Sequence, residues 1–95
     1  MTNTQNLRAI IVNLMEEENK LKMAYEEAKE QNNRAYKRML VWEKAYTASG
    51  DDEEVAQIFD EVYDKYSATE EQVEAIDAAL EELHNATKAI TWLSL

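Results

Sequence analysis

Apolar side chains return at alternating intervals of four and three residues through almost the whole of this chain. That period admits little besides paired α-helices. Leu7, Ile11, Leu14, Glu18, Leu21, Tyr25, Ala28, Asn32, Ala35, Met39, Trp42 and Tyr46 mark one seam over almost six heptads. A second seam reads Val55, Phe59, Val62, Tyr66, Thr69, Val73, Ile76, Leu80, Leu83, Thr87 and Ile90, with no slip of phase. The chain has no proline and a single glycine, Gly50, which falls between the two seams. A β-fold would need far more turn residues.

The spacing predicts an all-α chain of 95 residues in one domain, folded as a long antiparallel helical hairpin. The first helix is expected over about residues 4–47, roughly 65 Å at 1.5 Å per residue. Thr4 or Asn6 can cap its start, and Ser49-Gly50 ends it, with glycine near the C′ position. A turn over 48–51 follows. Asp51-Asp52-Glu53-Glu54 then supplies a cap and further acids at a helix N-terminus, where the macrodipole favours them.

Two overlapping capping-box patterns, Ser67-Ala68-Thr69-Glu70 and Thr69-Glu70-Glu71-Gln72, interrupt the second half. Either one helix runs from 52 to 93, or two helices, about 52–66 and 69–93, meet near residue 67. The doubled cap favours the break. In both versions the arms run antiparallel, and a turn centred between residues 49 and 50 sets residue i against about 99 − i. Asn32 then faces Ser67 and Thr69, and Glu18 lies near His84. The polar interruptions of the two seams coincide, as a register-fixing device requires.

A two-helix seam is narrow, and such hairpins are rarely stable alone. Ile10, Met15, Tyr36, Ile58, Tyr63, Trp92, Leu93 and Leu95 lie off the seam and widen the apolar stripe on both arms. A homodimer completing a four-helix bundle, or docking on another protein, is the expectation. The apolar end formed by Ile10, Trp92, Leu93 and Leu95 is the clearest candidate hook for either; its other reading is closure of the open end of the core.

Charge is divided unevenly. Residues 1–49 hold seven acids and eight bases, whereas residues 51–82 hold thirteen carboxylates and one base, Lys65. The chain carries a net −10. Such a balance disfavours direct contact with nucleic acid or anionic lipid and favours a basic protein surface. Glu70, Glu71, Glu74, Asp77, Glu81 and Glu82 fall mainly on outward heptad positions and are the candidate partner-binding face.

Chemistry finds few parts here. There is no cysteine and one histidine, His84. Glu81-x-x-His84 has the spacing of carboxylate-bridged di-iron bundles, but Leu80 and Leu83 take the inward positions of that turn, so no metal is expected. Asp51 to Glu54 lacks the alternation and the glycine of an EF-hand loop. No cofactor and no catalytic activity are expected. Tyr25, Tyr36, Trp42, Tyr46, Phe59, Tyr63 and Tyr66 cluster toward the turn among Arg34, Lys37 and Arg38. Asp60, Glu61 and Asp64 are expected to neutralise those bases across the hairpin, so core packing is the better reading of most of the rings. The first residues are polar and carry no Sec-type leader pattern, and no apolar run spans a bilayer, so a cytoplasmic location is expected.

Two functions remain. One is an acidic helical inhibitor, antitoxin-like or of the phage anti-defence kind, that occupies a basic nucleic-acid-binding surface as a mimic of its charge. The other is a self-associating structural or adaptor protein. In its length and mid-chain turn the chain resembles the small helical-hairpin proteins of the WXG100 type. That resemblance implies pairing into four-helix bundles and association with specialised secretion. The family's Trp-x-Gly turn is absent: the chain reads Trp42-Glu43-Lys44-Ala45-Tyr46-Thr47-Ala48-Ser49-Gly50.

Overall fold

The computed structural model describes the backbone over residues 3–93 and side chains from residue 5. It contains two α-helices, α1 (Asn3–Ala48) and α2 (Glu53–Leu93), joined as a helical hairpin, with no strand among the described residues. Every residue named in the two heptad seams is buried or half-buried, from Leu7 to Tyr46 and from Val55 to Ile90. The 3.6-residue period leaves no other stripe on either helix to bury.

The turn is built from local polar bonds. Ser49 N–H donates to Ala45 O at 2.9 Å, and its hydroxyl donates to Tyr46 O at 2.8 Å. Gly50 and Asp51 are both left-handed, with φ of 66° and 70°. Glycine adopts that conformation freely, and aspartate tolerates it. Asp52 is the cap of α2: its Oδ1 accepts from the N–H groups of Glu54 at 2.9 Å and Val55 at 3.2 Å. The linking residues are thus 49–52, one later than the sequence suggests. At the other end α1 begins at Asn3, so Asn6 lies inside the helix rather than capping it. The expected cap at Thr4 concerns a side chain outside the described residues.

The expected break near residue 67 is absent, and α2 runs unbroken from Glu53 to Leu93. A capping threonine turns its oxygen toward the backbone N–H groups of the next turn. Here Thr69 Oγ1 instead donates back to Tyr66 O at 2.8 Å and accepts from Asn32 Nδ2 at 3.0 Å. Its hydroxyl is satisfied without opening the helix.

The residues fall into two compact units: Glu26–Glu74, which contains the turn, and Met1–Tyr25 with Ala75–Leu95. In the turn unit, Asn32 meets Thr69 and the ring of Tyr36 meets that of Tyr66. In the terminal unit, His84 Nδ1 lies 3.3 Å from Glu18 Oε1. Both expected polar pairings form. Their positions sum to 101 or 102 rather than 99, because the four-residue turn sits one residue later than expected.

The buried core is small. Among the described residues it consists of Ala28, Met39 and Val62, and none of their large side chains is completely enclosed. A pair of helices can cover only one stripe of each partner.

Candidate functional site

Helical geometry divides the turn unit into an aromatic side and a grooved side. On the aromatic side five rings follow one another: Tyr46 on Phe59 at 5.9 Å, Phe59 to Tyr63 at 6.2 Å, Tyr63 to Tyr66 at 6.4 Å, and Tyr66 to Tyr36 at 5.5 Å between centroids. These spacings are those of favourable aromatic pairs. Tyr36 and Tyr63 remain exposed, while Tyr46, Phe59 and Tyr66 are half-buried in the seam.

Carboxylates hold two rings of this ladder, Tyr66 and Tyr46. Tyr66 Oη donates to Glu70 Oε1 at 2.6 Å, and that bond pushes its pKa up from 10.0 to about 12. At the turn, a hydrogen bond to Asp51, with the charges of Asp51 and Asp60 nearby, raises the pKa of Tyr46. Both effects have the same leading cause, with partial burial adding to it: a neutral phenol can donate to an anion, and a phenolate beside it is repelled.

The grooved side is chemically different. A groove of about 490 Å³ has Ala35, Trp42, Ile58, Val62 and Ala68 along its floor and Arg34, Arg38 and Lys65 on its rim. Arg34 bonds Glu30 of its own helix at 2.7 Å. The expected neutralisation across the hairpin does not occur: among the described residues no ion pair joins Arg34, Lys37 or Arg38 to Asp60, Glu61 or Asp64. Glu61 borders the same groove without pairing, and Arg34 takes the shorter reach to Glu30 within α1.

The charge imbalance concentrates in the turn unit. Residues 26–74 hold six bases and fourteen acids, 6 − 14 = −8, whereas the terminal unit holds four and six, 4 − 6 = −2. Within the turn unit, residues 51–74 carry ten of the carboxylates against Lys65 alone, and all ten are exposed.

The six carboxylates singled out from the sequence divide between the units. Glu70, Glu71 and Glu74 belong to the turn unit, and Glu70 is the acceptor for Tyr66. Asp77, Glu81 and Glu82 belong to the terminal unit. All six are exposed.

The apolar end lies in the terminal unit. Trp92 is 75% exposed, Leu93 74% and Ile10 44%, so these residues do not close the core. Leu95 lies outside the described residues. Further exposed apolar side chains went unsingled in the sequence: Val12, Met23, Leu40 and Val41. The signal for the last two is the run Met39-Leu40-Val41-Trp42, of which a helix can turn only the first and last into one seam.

His84 is exposed and meets Glu18, while Glu81 points outward on the same helix. No group of three or more His, Cys, Asp or Glu among the described residues is placed to hold a metal ion. Among them, too, no helix is long and apolar enough to cross a membrane. Comparison of the chain with protein-family models, curated proteins and solved structures gives no match.

Proposed function

We propose that this chain is a non-catalytic protein that acts by binding another protein, with the acidic arm of its turn unit laid against a lysine- and arginine-rich surface. One observation carries the reading: ten exposed carboxylates against one base within residues 51–74. Spaced along a helix, such a row supplies negative charge at intervals that a phosphate-binding surface can use. The protein then acts as an inhibitor, antitoxin-like or of the phage anti-defence kind, that competes with nucleic acid for its partner.

The test is competition. A partner captured at low salt should be displaced by double-stranded DNA and by raised salt, and E70K/E71K/E74K should abolish capture. Binding that ignores salt and charge reversal overturns the reading.

A second reading, a structural or adaptor protein, draws on the exposure of Ile10, Trp92 and Leu93 in the terminal unit. Under it, removal of residues 90–95 impairs binding more than charge reversal does.

A further inference from the structure

Lys65, the single base among the carboxylates of residues 51–82, stands on the rim of the groove. It directly precedes the seam residue Tyr66, as Arg38 precedes the seam residue Met39. Both therefore flank the seam on the same side, at positions where paired helices ordinarily match opposite charges. The Asn32–Thr69 and Tyr36–Tyr66 contacts fix the register and bring the two cations to neighbouring levels of the hairpin. Among the described residues neither forms an ion pair, and Glu61, one helical turn before Lys65, pairs with neither of them. Arg34, the third base on the rim, holds Glu30. The rim thus carries three bases and one acid, 3 − 1 = +2, in a unit whose balance is 6 − 14 = −8. Like charges facing each other across a seam repel, and an anion set between them turns that repulsion into attraction.

The groove also changes character along its length. Trp42, Ile58 and Val62 make the part nearer the turn apolar, while Arg34, Arg38 and Lys65 make the farther part cationic. From Lys65 back to Ile58 the rise along α2 is roughly 10 Å, the reach of an alkyl chain of about eight carbons. The volume, about 490 Å³, is that of a small-molecule site, mostly apolar with a few polar groups that orient the ligand. Nucleic acid is a poor occupant, because its further phosphates meet the carboxylates of the unit. An acidic helix spreads charge along the whole groove, whereas the cations gather at one end.

We infer that the groove is a binding site for a small amphiphilic anion, an alkyl carboxylate of medium chain length. Its carboxylate lies between Arg38 and Lys65, and its chain covers Trp42, Ile58 and Val62. Arg38 offers a planar fork that matches a carboxylate, and Lys65 adds a point charge. Ala35 and Ala68 leave room for the head group. The inference goes beyond the partner-binding reading and does not rest on it, since Glu70, Glu71 and Glu74 do not line the groove.

Trp42 reports on occupancy. In the full chain carrying Trp92→Phe, its fluorescence should shift to the blue as sodium octanoate is added, with calorimetry giving one molecule per chain. R38E/K65E should weaken binding about a hundredfold, and 1-octanol, which has no charge, should bind about tenfold more weakly than octanoate. E61Q removes the rim acid and should tighten binding about threefold. An unmoved Trp42, undiminished binding by R38E/K65E, weaker binding by E61Q, or octanol that binds as well as octanoate overturns the inference. So does a leucine–glutamate helical peptide that shifts Trp42 where octanoate does not, because the groove then takes a protein segment. Should R38E/K65E lose helicity by circular dichroism, R38Q/K65Q decides: about a tenfold loss supports the site, and unchanged binding overturns it.

Discussion

Asn32 donates to Thr69 across the hairpin at 3.0 Å, and the Thr69 hydroxyl in turn donates to Tyr66 O at 2.8 Å. The amide thus finds a partner in the midst of the apolar seam, at one register only. A slip of the arms by a heptad would leave the half-buried Asn32 amide without this partner, which costs about 1–3 kcal/mol, whereas Thr69 keeps its bond within α2. Tertiary order in the turn unit is set here by a polar contact as much as by packing.

Asn32→Leu should therefore raise stability while loosening specificity. Half-burying a leucine in place of the amide is worth roughly 1 kcal/mol. Thr69→Val alone leaves Asn32 without its acceptor and should cost about 1 kcal/mol. The double variant N32L/T69V should be the most stable of the three in urea unfolding and the least uniform in native mass. A destabilised N32L would mean that the seam depends on the bond for stability, contrary to this account.

The turn offers a separate test. Gly50 is left-handed at φ 66° and has open space where a Cβ would stand. Gly50→Ala should thus cost about 1 kcal/mol from backbone strain alone. Asp51→Asn keeps a residue that tolerates the same conformation, and it removes the charge that holds Tyr46 neutral. Its stability should change by less than about 0.5 kcal/mol, as for most exposed substitutions. The pKa of Tyr46 should fall, as followed by tyrosinate absorbance.

Tyr66 links stability to alkaline pH. Its folded pKa, about 12, lies above the ordinary 10.0, so the folded state holds its proton more tightly than the unfolded chain. The resulting stabilisation is complete below pH 10 and is lost as pH rises through about 12. Glu70→Gln removes the anionic acceptor and should bring the Tyr66 transition down toward the ordinary value. A transition that stays put would show that Glu70 is not its cause.

These contacts also mark how far the sequence is readable. The heptad period placed every seam residue correctly, because in a hairpin the apolar stripe and the buried stripe are one thing. The meetings of Asn32 with Thr69 and of Glu18 with His84 followed from the same geometry. The unbroken course of α2 past Thr69 did not. A capping pattern states what a hydroxyl can do, and the hydroxyl's choice of Tyr66 O depends on the partner helix. The register was off by two or three for a similar reason: whether Asp51 or Asp52 caps α2 turns on two left-handed residues that no spacing rule specifies. The charges of Arg34 and Arg38 were misassigned because sequence proximity to opposing acids says little about which rotamers meet. The exposed face of Trp92 and Leu93 was legible as composition, and its openness only as structure.

Glu18 provides the last test, and it separates packing from charge. Its side chain occupies a seam position at 17% exposure, while the His84 ring that it meets is 67% exposed. An ion pair with one member so open to water contributes little, so His84→Ala should cost less than about 0.5 kcal/mol. Glu18→Leu should instead stabilise the terminal unit by roughly 1 kcal/mol, because a half-buried apolar side chain replaces a carboxylate between Leu14 and Leu21. Thermal unfolding of the two variants beside the native chain decides the matter. If H84A is the more damaging and E18L destabilises, the contact is structural, and the seam is held at this turn by its polar pair rather than by its leucines.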